Sequence, residues 1–194
     1  MTANKIMEVA LRHFARNGYD GASLADISAE VGIKKPSIYN HFNGKDDMFL
    51  TVFKAAGDRE TIFIQDYLEK SSSHSLENKL YSFLSAYRNR YEQEDDTKFF
   101  LRIAFFPPAH LEKEVVDYSN LHLDRTNAVL ETVFKAAAES GQLHPEVSID
   151  RASTAFTAVL DGLFVEMIYG DLERFQKRLD ASWFIFWRGI QNHT

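Results

Sequence analysis

The chain has 194 residues, 45% of them hydrophobic and 26% charged, with four prolines, nine glycines and no cysteine. That length and composition support a buried core, either one large domain or a small one joined to a larger one. They exclude a disordered chain, a disulfide framework and a thiolate metal site. No apolar run approaches the ~20 residues of a membrane span, and the N-terminus lacks a signal peptide's apolar core, so a cytoplasmic protein with no membrane partner is expected.

The net charge is −6, and it is unevenly distributed. Through Asp47, six basic residues (Lys5, Arg12, Arg16, Lys34, Lys35, Lys45) balance six acidic ones (Glu8, Asp20, Asp26, Glu30, Asp46, Asp47). The excess negative charge therefore belongs to residues 48–194. A body of that sign is repelled by phosphate, whereas the neutral N-terminal end is not.

Ile6, Ala10 and Phe14, four apart, predict a helix from about Ala3 to Asn17, broken at Gly18-Tyr19-Asp20-Gly21. Leu24, Ile27 and Val31 share one face of a second helix, with Ser23 placed to cap it and Gly32 free to take the left-handed conformation that ends it. A third short helix is expected to start near Lys34. It has Pro36 in its first turn, a staple between Ile33 and Ile38, and Ile38 and Phe42 as anchors. Its other face carries Lys35, Ser37, Tyr39, Asn40 and His41, a set of donors and rings suited to a DNA major groove. The same face read as plain solvated surface leaves an aromatic ring uncovered without a reason.

Asn43-Gly44 ends that helix, and Asp46 and Asp47 suit the first turn of a long one running to about Lys70. After a polar break, Ser71 to Ser75, helices are expected over Leu76 to Glu92, Asp95 to Phe106, Ala109 to Ser140, Ile149 to Tyr169 and Leu172 to Gln191. Pro107-Pro108 and Gly141 mark two of the stops. No strand-like alternation and no internal repeat occurs, so the fold class is all-α.

Gly18-Tyr19, Ser23-Leu24, Ile27, Val31-Gly32-Ile33, Pro36 through Phe42, Lys45 and Phe49 together resemble the DNA-binding domain of the TetR/AcrR family of bacterial transcriptional regulators. The resemblance is close over these N-terminal helices and beyond them rests on length, helical character and a few C-terminal features. It implies a helix-turn-helix domain over residues 1–47 and a larger helical ligand-binding and dimerisation domain over residues 48–194. It also implies that Lys35 and Pro36 approach base edges and that Tyr39, His41 and Lys45 hold phosphates. Asn40 stands where many members have an aromatic residue, and it meets either an adenine edge or a phosphate. With the capping Ser23, the neighbouring Lys34 and Ser37, these residues form the expected DNA-binding set. Two departures stand out: Lys34 replaces the usual Ser or Thr cap, and Ala22 replaces a common Thr.

The family binds a small effector within its second domain, which gives a role to the aromatic residues Phe63, Tyr67, Phe83, Tyr87, Phe100, Phe106, Phe134 and Phe156, with Asp161 beside them. Taken one by one, most of these rings are equally well explained as core. Thr154, Thr157 and Asp161 make a polar stripe that lines either such a cavity or a subunit interface. The last two helices of family members form the dimer; Leu172, Phe175, Leu179, Trp183, Phe186, Trp187 and Ile190 recur there at three- and four-residue steps, preceded by the small Gly162, at which helices can approach closely.

The seven histidines show no metal-ligand spacing, and no nucleophile elbow, phosphate loop or dinucleotide fingerprint is present, so neither an enzyme nor a cofactor is expected. The expectation is a homodimeric regulator that binds a palindromic operator in double-stranded DNA, a repressor released by a mostly apolar or aromatic small molecule. The alternative is a helical small-molecule-binding or adaptor protein that does not bind DNA.

Overall fold

Local signals at the helix ends set the element boundaries. Ser23 Oγ accepts the backbone N–H of Asp26 at 3.1 Å and starts α2 (Leu24–Val31). Gly32, at φ 81°, donates back to Ser28 and Ala29 and ends it. Gly18, at φ 68° and ψ −175°, interrupts α1 (Ala3–Gly21) at the predicted break, leaving one further turn before α2. After the short segment Lys35–Asn40 come α3 (Lys45–Lys70), α4 (Leu76–Gln93), α5 (Asp95–Phe105), a 3₁₀ turn (Ala109–Leu111), α6 (Glu112–Glu139), α7 (Ile149–Tyr169) and α8 (Leu172–Ile190). This computed structural model describes residues 3–70 and 75–192, so most of the predicted serine break lies outside the described residues. Among the described residues the only β pairing is an isolated bridge between Leu143 and Gln191, and the fold is all-α.

The chain forms two compact units. The first comprises Met1–Glu60 and Glu92–Leu121, the second Thr61–Tyr91 and His122–Thr194, and the continuous helix α3 contributes to both. In the first unit, Phe14, Phe49 and Phe99 form an edge-and-stack cluster, with Phe14–Phe49 centroids 5.0 Å apart and Phe49–Phe99 5.6 Å apart. Ile6, Ile27, Ile38 and Met48 are buried within the same unit. Gly57 allows Phe100 and Tyr118 to approach α3: a Cβ there would lie 2.6 Å from a ring carbon of each.

In the second unit Phe83 meets Phe63, Tyr87 and Phe156 at centroid distances of 6.1, 5.7 and 6.1 Å. The α7–α8 corner is fixed by a buried carboxylate, Glu166, which takes Arg178 at 2.6 Å and Arg174 at 3.2 Å. Asp171 caps α8 through the Arg174 N–H at 2.9 Å. Contrary to the expectation from apolar runs, α7 is long and apolar enough to cross a membrane by length and composition. Its Phe156, Leu160, Leu163 and Phe164 are nevertheless buried in the unit, as in the core helix of a bundle.

Candidate nucleic-acid interface

The segment Lys35–Asn40 presents the expected face but winds more tightly than expected. It is a 3₁₀ helix, with Ser37 N–H donating to Lys34 O at 2.8 Å and His41 N–H to Ile38 O at 2.9 Å. Pro36 supplies no N–H, and Lys34 makes no side-chain cap, so the segment starts without the bonds that would nucleate a longer α-turn. Ile38 is fully buried and Phe42 nearly so, which anchors the helix as predicted. Lys34, Lys35, Pro36, Asn40 and His41 are exposed, Ser37 is half-buried, and the Tyr39 ring is 53% exposed.

Ser23 is occupied by its cap, also donating to Asp26 Oδ2 at 2.6 Å. Helix α2 is tied to α1 through Glu30, which takes Arg12 at 2.7 Å and His13 at 2.8 Å from α1. The hydrogen bond from Arg12, then that from His13, hold the Glu30 carboxyl below its usual range.

Lys45 opens α3, half-buried, with its Nζ 4.2 Å above the Tyr19 ring and 3.4 Å from the Asp20 carbonyl. Tyr19 in turn donates its hydroxyl to Asp46, whose Oδ1 also faces His110 Nε2 at 3.5 Å. Burial, reinforced by that hydrogen bond, pushes Tyr19 up to about 12, while the bond from Tyr19 keeps Asp46 below its usual range. Tyr19, Asp46 and His110 were not among the expected site residues. Tyr19 stood out only as part of a motif, and nothing in the spacing of His110 ties it to Asp46.

The expected effector residues divide. Phe63, Tyr67, Phe83 and Tyr87 come together, with Phe63–Tyr67 centroids at 5.7 Å, and Phe156 and Phe134 extend the cluster. The Arg90 guanidinium lies 4.3 Å from the Phe63 centroid. Burial raises the pKa values of Tyr67 and Asp161. Phe100 packs on Phe53 at 5.2 Å in the first unit, and Phe106 caps α5 in that same unit with 49% of its surface exposed. A separate groove of about 380 Å³ opens along α6, bordered by Leu68, Lys79, Ala128, Val129 and Val133.

Of the expected dimer residues, Phe175, Leu179, Trp183, Phe186 and Ile190 are buried within their own subunit, Gly162 is half-buried, and Trp187 stacks on Trp183 at 5.7 Å. The apolar side chains that α7 and α8 leave uncovered are others: Val165, Tyr169, Leu172, Phe184 and Ile185.

The chain is all-helical among the described residues, with a helix-turn-helix near its N-terminus and an exposed cationic and aromatic face on the second helix of that motif. Residues 6–52 match the profile of the bacterial regulatory proteins of the tetR family. A stretch of 81 residues is 35% identical to the biofilm operon icaADBC HTH-type negative transcriptional regulator IcaR of Staphylococcus epidermidis, covering 42% of each chain. The match thus spans less than half the length of this relative. Among solved structures, the fold is similar to a protein assigned to the TetR family of transcriptional regulators from Mesorhizobium loti, with TM-score 0.79 and 19% identity over 97% of this chain and 96% of that one. It is also similar to FadR from Bacillus subtilis in complex with stearoyl-CoA, with TM-score 0.72 and 15% identity over 98% and 100% of the two chains. Residues 6–52 are thus similar to the tetR-family regulatory proteins, and the chain as a whole shares the fold of the solved TetR-family structures.

Proposed function

We propose that the protein is a homodimeric repressor that binds a palindromic operator and leaves it when a small, mostly apolar or aromatic effector binds. The observation that carries the reading is the outward face of Lys35–Asn40, where Tyr39 is half-exposed while Ile38, its neighbour, is fully buried. An anchored helix that spends its exposed positions on cations, an amide and aromatic rings is built for a groove lined by phosphates and base edges. Lys35 and Pro36 serve the bases, and Tyr39, His41 and Lys45 the phosphates. Asn40, Lys34 and Ser37 border the same groove. The protein acts in the cytoplasm, where its DNA is.

The effector site is the ring cluster of Phe63, Tyr67, Phe83 and Tyr87, extended by Phe134 and Phe156, with Asp161 on the adjacent helix. Its apolar character is in keeping with the acyl ligand of the FadR structure. Two copies pair through α7 and α8. The uncovered Val165, Tyr169, Leu172, Phe184 and Ile185 give that surface its apolar character, around the small residue Gly162.

The test is a selection of duplexes from a random-sequence library, followed by titration of Lys35→Ala and Tyr39→Ala on the selected duplex. Each phosphate contact removed lowers the log–log salt slope by about one. Parent-like affinity in both variants would sink the reading. For the switch, an effector found by thermal-shift screening is titrated by calorimetry with and without operator. A coupling of about 1–3 kcal/mol, roughly 5–150-fold, is expected, and it is reciprocal. Equal affinity in the two titrations would separate the pocket from control of DNA binding.

A further inference from the structure

We infer that His110 is a positioning residue for DNA binding: by holding Tyr19 and Asp46, it aims the Lys45 ammonium at a phosphate. The inference rests on the reading above in which Lys45 is a phosphate contact. Lysine is a compact charge on a long flexible stem, so one that meets a phosphate in a fixed register gains from being held beforehand.

Here the stem ends over the Tyr19 ring at 4.2 Å and near the Asp20 carbonyl at 3.4 Å. The ring is a fixed platform only if something fixes it. Three contacts do: its edge-on packing with Phe49 at 5.2 Å, its hydroxyl bond to Asp46, and the His110 ring at 4.7 Å. Asp46 is the side chain best placed to spoil the arrangement, because it adjoins Lys45 in sequence and carries the opposite charge. Left free, its carboxylate would draw the ammonium to itself and repel an incoming phosphate. Instead Tyr19 and His110 both address its Oδ1, the histidine at 3.5 Å, and so occupy that oxygen. His110 reaches this point because Pro107-Pro108 ends α5 and the 3₁₀ turn Ala109–Leu111 follows at once. Half of its side chain is exposed, so its role here is not one of filling a core.

A double-mutant cycle on the full-length protein tests this. The duplex is one selected by the parent protein from a random-sequence library, and affinity is read by fluorescence anisotropy over a range of potassium chloride concentrations. His110→Ala is expected to weaken binding roughly twofold to fivefold, the scale of an exposed cation–π contact. In the Lys45→Ala background the same change is expected to have no further effect. His110→Gln, which keeps a flat N–H donor for Asp46, is expected to recover most of the loss. Additive effects of His110→Ala and Lys45→Ala, no loss from His110→Ala alone, or a glutamine variant as weak as the alanine one would each overturn the inference. If Lys45→Ala leaves both affinity and salt slope unchanged, the phosphate role of Lys45 is what fails, and the positioning role falls with it.

Discussion

The helix-turn-helix and the C-terminal helix pair were both read from apolar residues at three- and four-residue steps, and the same reasoning gave different results in the two places. In the first, Leu24, Ile27, Val31, Ile38 and Phe42 are the anchors and are buried, and the residues between them face outward. In α8 the repeat Phe175, Leu179, Trp183, Phe186 and Ile190 is equally regular, yet one subunit already covers it. Periodicity locates the face a helix buries, and it does not say in what. A short helix with one apolar face has a single answer. Helix α8 carries a second apolar set, Leu172, Phe184 and Ile185, and so has two.

The largest expected effect sets these two faces of α8 against each other. Phe186→Glu places a carboxylate at a position only 7% exposed and should cost several kcal/mol, enough to leave little folded protein. Ile185→Glu, at a position 70% exposed, should leave the circular dichroism spectrum and the monomer fold intact while light scattering reports the loss of the dimer. Two folded dimers, or two unfolded proteins, would erase the distinction between the faces.

What was legible follows from this difference. Caps and turns were readable because they depend on one or two residues: Ser23 and Gly32 at the ends of α2, and Pro107-Pro108 after α5. The outward face of Lys35–Asn40 was readable because its chemistry is in the residues themselves. Its 3₁₀ winding was not, since an uncapped start at Lys34 with Pro36 in the first turn is compatible with either winding and only the backbone bonds decide between them. Phe100 and Phe106 illustrate the opposite limit. They lie on or next to a helix apolar nearly all round, and the sequence carries no mark that Phe100 packs on Phe53 or that Phe106 falls at the helix end. The Tyr19–Asp46–His110 cluster joins three separate segments, and such a meeting is set by tertiary packing alone.

A smaller contrast exists within the helix-turn-helix, between neighbours on one turn. Ile38→Ala removes a fully buried side chain and should lower stability by about 2–5 kcal/mol in denaturant titrations. Tyr39→Ala should stay within about 0.5 kcal/mol of the parent in the same titration, while losing operator affinity. If Tyr39→Ala proves the more destabilising of the two, the ring is structural and the proposed division of the helix into an anchor and a DNA face is wrong.

The smallest effect sharpens the comparison at the base of α3, and it has a sign at each end of the pH scale. The Tyr19–Asp46 hydrogen bond lowers the pKa of Asp46 and, after burial, helps to raise that of Tyr19 to about 12. For Asp46, the folded state holds its proton less tightly than the unfolded chain. Its contribution is therefore present above the ordinary carboxylate value and is lost as pH falls through the lowered one. For Tyr19 the folded state holds its proton more tightly. That contribution is complete below the ordinary value of 10 and disappears as pH rises toward about 12. The pair is largely exposed to solvent on the Asp46 side, so each limb should amount to only about 0.2–1 kcal/mol. Tyr19→Phe keeps the ring beneath Lys45 and removes the hydroxyl. Melting temperatures of parent and variant should therefore differ least at the two extremes of pH and most between them. A difference that stays constant from acid to alkali would mean that the loss in Tyr19→Phe comes from packing, with the hydrogen bond to Asp46 contributing nothing to the fold.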